Sequence, residues 1–172
     1  MRDDRSKWLP AQEPLAPLNA DNVTVRVVNL GNQYVVSGLS IAQDSGRGAG
    51  WPDLVADASY ELRLRYDQIL SVGGENRDTG WDANNQIAVS DMSDGYRVFT
   101  VAGARAFACL CQGAELDLAL HSRSVIRRLW DYDVLLYRHG TETDFRLHIE
   151  RHSAEGLYRI LASELKCEAA AG

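Results

Sequence analysis

The stretch 87-IAVSDMSDGYRVFTVAGARAFACLCQGAELDL-118 decides the reading of this chain. It reads as a strand, a turn, a second strand and a helix. Tyr96, Val98 and Thr100 alternate with Arg97, Phe99 and Val101, the period of a half-buried strand. Asp91, Ser93, Asp94 and Gly95 supply turn chemistry just before it. Gly103 breaks the strand, and Ala104 to Gln112 has the composition of a helix. Phe107, Leu110 and Cys111, at i, i+3 and i+4, predict its buried face. Gly113 stands where a helix takes a left-handed C′ residue.

Upstream, Val23 to Val28 (VTVRVV) is a β-branched, alternating strand with Arg26 facing outward. Gly31-Asn32 then turns the chain, and Tyr34 to Ile41 reads as a second strand, so the pair predicts a hairpin. Ser45 to Gly50 (SGRGAG) is a flexible loop. It is followed by Trp51-Pro52 rather than by a helix N-terminus with Lys-Ser/Thr, so a phosphate loop is excluded. Asp53 to Ala58 predicts a short helical turn capped by Asp53. Leu62 to Val72 reads as two strands about Asp67-Gln68, closed by Gly73-Gly74. Glu75 to Asn85 is a polar loop with Trp81 as its lone apolar residue. An exposed loop Trp is either an interface anchor or folds back on its own domain.

Downstream, Val125 to Trp130 and Val134 to Arg138 form a strand pair around Asp131-Tyr132-Asp133, and Phe145, Leu147 and Ile149 mark one more strand. Leu157, Ile160, Leu161 and Leu165 give a final helix, about Ala154 to Lys166, its buried stripe. Short links between strands favour antiparallel pairing. The predicted architecture is therefore α+β, a mostly antiparallel sheet with helices packed on one face. One domain spans residues 23–167, and 168–172 is a C-terminal tail.

Residues 1–22 read as an extended arm, because Pro10, Pro14 and Pro17 forbid a regular helix. Trp8, Leu9, Leu15 and Leu18 make it more apolar than a solvated terminus. It is either a disordered end, or an arm whose apolar residues dock on a partner or on the domain itself. Trp8, Leu9, Leu15, Leu18 and Trp81 are the subunit-interface candidates.

The net charge is −6, which leaves no basic footprint for nucleic acid. Lys7 and Lys166 are the only lysines among the cations. Arg in place of Lys suits interfaces, although a genomic codon bias gives the same pattern. Cys109, Cys111 and Cys167 are an odd set without framework or ligand spacing, which fits reduced thiols in a cytoplasmic protein. No apolar run approaches the ~20 residues of a membrane span. Arg2, Asp3, Asp4 and Arg5, with no apolar segment behind them, do not make a secretory signal.

The search for chemistry returns little. His121, His139, His148 and His152 form no HExxH or Cys/His cluster, and no GxSxG elbow occurs. The acidic run at Ser90 to Asp94 lacks EF-hand spacing and reads as a turn in which Asp91 and Asp94 bond backbone amides. No catalytic, cofactor-binding or metal-ligating residue is assigned.

The spacing of Asp91, Ser93, Asp94, Gly95, Gly103, Ala106, Leu110, Gly113, Leu116 and Asp117 resembles the gamma subunit of heterotetrameric sarcosine oxidase, itself similar to the folate-binding domain of the glycine-cleavage aminomethyltransferase. RLRYDQILSVGG at Arg63 to Gly74 and ERHSAEGLYRIL at Glu150 to Leu161, with Arg151, Ala154 and Leu157 in matching places, extend the likeness over Ser59 to Leu165. Gly103-Ala104 departs from the usual Gly-Pro, and His152 stands where Ser is usual. The resemblance implies the folate-domain fold without catalytic residues. It implies an accessory subunit beside alpha, beta and delta subunits. The partners would carry FAD, FMN and NAD and pass the one-carbon unit from sarcosine to tetrahydrofolate, and none of these groups would be bound by this chain. The alternatives are a gamma-type subunit of a related N-methyl amino acid dehydrogenase, or a stand-alone folate-dependent aminomethyl or demethylating protein.

Overall fold

The structure, a computed structural model, describes residues 15–20 and 22–171, with side chains described through 165. The strands are β1 (Leu18–Ala20), β2 (Val23–Val28), β3 (Gln33–Gly38), β4 (Leu54–Val55), β5 (Tyr60–Arg65), β6 (Gln68–Val72), β7 (Gly80–Asp82), β8 (Ile87–Asp91), β9 (Tyr96–Ala102), β10 (Ile126–Leu129), β11 (Tyr132–His139) and β12 (Asp144–Glu150). The helices are α1 (Leu39–Gln43), α2 (Ala106–Gly113) and α3 (Ala154–Ala171).

These strands make two sheets rather than one. The first has the order β1-β2-β9-β12-β11-β10, antiparallel throughout, with β4 added parallel to the end of β11. The second has the order β5-β6-β3-β8-β7, also antiparallel. The predicted hairpin of β2 and β3 is therefore corrected. β2 pairs with β1 and β9, while β3 pairs with β6 and β8. Likewise β8 and β9, the two strands of the opening stretch, belong to different sheets, and the Asp91–Gly95 turn carries the chain from one to the other. In that turn the Asp91 carboxylate accepts from the Ser93 amide at 2.8 Å, and hydrogen bonds from the Ser93 hydroxyl and then from this amide lower its pKa, as turn chemistry requires.

The period-2 alternation explains the layering. On β11, Val134 and Leu136 face one way, into a core shared with Phe99, Val101, Leu110 and Leu161. Leu135 and Tyr137 face the other way, against Leu62, Leu70 and Val72 of the second sheet. Tyr34, Val36, Ile69 and Val89 on the far side of that sheet are covered by Ile41 of α1. Helices thus lie on both outer faces, α2 and α3 on the first sheet and α1 on the second, not on one face alone.

Three further expectations change. Leu39 to Ile41 belong to α1, not to a strand, because the chain turns at Gly38, where a Cβ would meet the Gln86 carbonyl at 2.2 Å. Residues 54–55 are the short strand β4, and the Asp53 carboxylate accepts from the Gly50 amide at 2.7 Å instead of capping a helix. On α2 the buried residues are Ala106, Cys109, Leu110 and Gly113, while Phe107 is half-buried and Cys111 exposed. Ala106 and Gly113 let the helix lie closer to the sheet than a Phe107/Cys111 seam would.

Trp51, read from sequence only as part of a loop, is a core residue at 2% exposure. Its Nε1 donates to the Leu118 carbonyl at 2.8 Å, and Arg127 and Arg138 lie over its ring at 5.7 and 5.8 Å. That arrangement desolvates a large ring while its single donor keeps a partner.

Candidate functional site

The first sheet is covered by the second over only half of its inner face. Its cross-strand rows show where cover ends. Tyr137, Arg146, Thr100 and Arg26 are in register across β11, β12, β9 and β2. Tyr137 is fully buried and Arg26 is exposed, with Arg146 at the margin. A cavity of about 410 Å³ lies over the open half, lined by Arg26, Thr100, His139, Asp144 and Arg146 among others. A second, of about 250 Å³, reaches Arg146 and His139 from the side of Tyr60 and Asp57. The two hollows flank Arg146, so they form the two arms of one cleft.

Arg146 is anchored by a buried polar chain. Its Nη1 donates to the Tyr60 hydroxyl at 2.7 Å, that hydroxyl bonds the Tyr137 hydroxyl at 2.7 Å, and Tyr137 bonds His148 Nε2 at 2.8 Å. Burial and the Tyr60 hydroxyl push the Tyr137 phenol well above its usual pKa. Burial, then the Arg146 charge, lowers the His148 imidazole to about 3. Near neutral pH the phenol keeps its proton and the imidazole is uncharged, so this pair orients Arg146 and transfers no proton. His148 Nδ1 and Arg146 Nε are buried without a hydrogen-bond partner. His139, at the mouth, is lowered by burial and by Arg146. The cleft can therefore hold an anionic or polar group against guanidinium, with His139, Asp144 and Asp57 also in its lining.

Among the described residues no group of three His, Cys, Asp or Glu is placed to hold a metal ion, and no helix is long and apolar enough to cross a membrane. Cys109 is buried and Cys111 exposed, and burial raises the Cys111 thiol.

The predicted interface residues fall in different places. Trp8 and Leu9 lie outside the described residues. Leu15 and Leu18 pack on the domain's own core, with Leu18 in β1, so the end of the arm is an edge strand of the first sheet. Trp81 is 66% exposed on β7, the edge of the second sheet. Sequence reading missed Tyr60, Arg146 and His148 as a unit, since Tyr60 lies 86 residues from Arg146 along the chain. The one local signal was His148 and Arg146 alternating with the apolar residues of β12.

The residues that carry the resemblance do structural work. Arg151, at the entry to α3, donates to the Asp94 carboxylate at 3.0 Å and its amide donates to the Gly95 carbonyl at 2.9 Å. The two segments thus meet. At Gly103 φ is +122° and a Cβ would lie 2.0 Å from the Asn22 carbonyl, so glycine is required there.

Fold and site together describe an α+β domain of two antiparallel sheets with few helices, with a cleft that Arg26 and Arg146 line. No family model matches the chain, and no curated protein matches it. Among solved structures it is similar to a chain of the heterotetrameric sarcosine oxidase from Corynebacterium sp. U-96 in complex with pyrrole 2-carboxylate. The identity is 20%, the match covers 84% of each chain, and the TM-score is 0.63. At that identity the likeness establishes the fold.

Proposed function

We propose that this chain is the non-catalytic gamma-type subunit of a heterotetrameric flavin-dependent sarcosine oxidase. In this reading alpha, beta and delta subunits hold FAD, FMN and NAD, oxidise sarcosine to glycine and pass the one-carbon unit to tetrahydrofolate, and the complex is cytoplasmic. The observation that carries the reading is the fold match over 84% of both chains. Equal shares mean chains of about equal length, which supports a small subunit over one domain of a large one. Trp81, exposed at a sheet edge, is the described residue that best suits a subunit contact.

The test is affinity purification of the tagged full chain from its own cells. Larger chains with flavin absorbance and sarcosine-dependent reduction of oxygen or a dye should come with it, and Trp81→Ala should weaken their retention. A chain recovered alone and flavin-free, with tetrahydrofolate binding of its own, would instead favour the stand-alone folate-dependent protein. Activity with a dye but not with oxygen would favour the dehydrogenase.

A further inference from the structure

A second hollow, of about 250 Å³, lies away from the cleft, between the end of α1, the β5–β6 turn and the segment before β10. Its lining includes Arg63, Arg65, Tyr66 and Arg123, and no carboxylate lines it. Arg63 is 3% exposed. Its guanidinium bonds only backbone carbonyls, those of Arg47 at 2.8 Å, Ile41 at 3.2 Å, Tyr66 at 2.9 Å and Asp44. Four of its five N–H groups are thereby used, and one on Nη2 is left. Arg123 is held at the rim by donating to the Ser45 carbonyl.

Arg63, Arg65 and Arg123 all line this hollow, and among the described residues none of them forms an ion pair. Glu61, the carboxylate beside Arg63 on β5, is held by Arg47 at 2.6 Å. A buried cation is costly and a like charge beside it adds to the cost, which the nearby Asp44 and Glu61 carboxylates offset only in part for Arg63. Burial, then Arg123, accordingly lowers the Arg63 pKa. Tying α1 to the β5–β6 turn accounts for Arg63 but not for Arg65 and Arg123, which contribute nothing to that tie.

We propose that this hollow is a binding site for a compact oxyanion, the carboxylate or phosphate group of a small molecule. Guanidinium forks match both groups in a bidentate manner. At about 30 Å³ per water in the liquid, the hollow holds about eight water volumes, enough for a small acid and too little for a nucleotide. Tyr66, 79% exposed beside Arg65, offers a flat apolar wall for the rest of such a molecule.

The test is calorimetric titration of the full chain at low salt with inorganic phosphate and, separately, with succinate. Saturable binding of either one is expected, and which one binds assigns the source of the oxyanion. Affinity should fall about tenfold or more in Arg65→Ala/Arg123→Ala, both exposed positions that leave the Arg63 tie intact, and should be unchanged in Arg159→Ala, an exposed arginine of α3 that lines neither this hollow nor the cleft. A circular-dichroism melt establishes that each variant is folded. Absence of saturable binding for both probes, or equal affinity in the double variant, overturns the proposal.

Discussion

Gly113 lies directly beneath the ring of Trp130, where a Cβ would come within 2.2 Å of the indole. The Trp130 amide donates to the Gly113 carbonyl at 2.7 Å, and Trp130 opens the β10–β11 turn with φ of +46°. This glycine ends α2 not for a left-handed backbone, since its φ is not positive, but because the turn of the neighbouring hairpin rests on it.

The sign of one substitution follows. In an exposed helix, Gly→Ala gains about 1 kcal/mol. Here Gly113→Ala forces the indole aside and should cost about 1–3 kcal/mol, the usual range for overpacking. Urea denaturation followed by Trp fluorescence measures it, and a gain in stability would show that Trp130 moves freely.

The buried face of α2 gives a second expectation. Leu110 is fully buried, whereas Phe107 is half-buried and stacks on Phe145 at 6.1 Å. Leu110→Ala should cost about 2–5 kcal/mol, and Phe107→Ala less than Leu110→Ala despite removing more atoms. The order of the two midpoints in the same denaturant series decides which seam the helix uses.

How far the sequence could be read depends on range. Elements with strong period-2 or period-3.6 patterns were legible: Val23 to Val28, Tyr96 to Ala102, Phe145 to Ile149 and the Leu157/Leu161/Leu165 stripe all stand where their spacing put them. Partnership was not legible. A turn as short as Gly31-Asn32 ordinarily makes a hairpin, yet Val25 pairs with Val101 and Val35 with Leu70, because each strand's two faces are satisfied by residues far along the chain. The cleft fails for the same reason. Arg146, Tyr60 and His148 read singly as a strand charge, a strand aromatic and a lone histidine, and only the two-sheet packing joins them.

His148 should give the acid limb of stability its slope. Its folded pKa is about 3, below the ordinary 6.5, so the unfolded chain binds the extra proton between those values. The contribution is complete above pH 6.5 and is lost as pH falls towards 3, at up to about 1.4 kcal/mol per pH unit. Moving from pH 7.5 to 5 should therefore cost about 2 kcal/mol through this group alone. His148→Gln, which cannot titrate, should flatten that segment of the ΔG-versus-pH curve even if it lowers stability at pH 7. An unchanged slope would mean that another group dominates.

The arm gives the last expectation. Leu18, Asn19 and Ala20 pair with Val25, Thr24 and Val23, and Leu15, Leu18 and Ala20 pack on the main core. The Tyr158 hydroxyl donates to the Ala16 carbonyl at 2.9 Å, which clasps α3 to the same segment. Deleting residues 1–22 thus strips an edge strand, uncovers apolar surface worth roughly 25 cal/mol per Å², and should lower stability by about 2–5 kcal/mol. Such a deletion cannot test assembly, because it also damages the domain. The pair Trp8→Ala/Leu9→Ala leaves β1 and its contacts in place and separates the two effects. If these side chains hold a partner, the double variant should melt with the intact chain while retention of the larger subunits falls about tenfold, or 1.4 kcal/mol. Full retention with an unchanged melt would remove Trp8 and Leu9 from the interface and leave Trp81 as the residue to test.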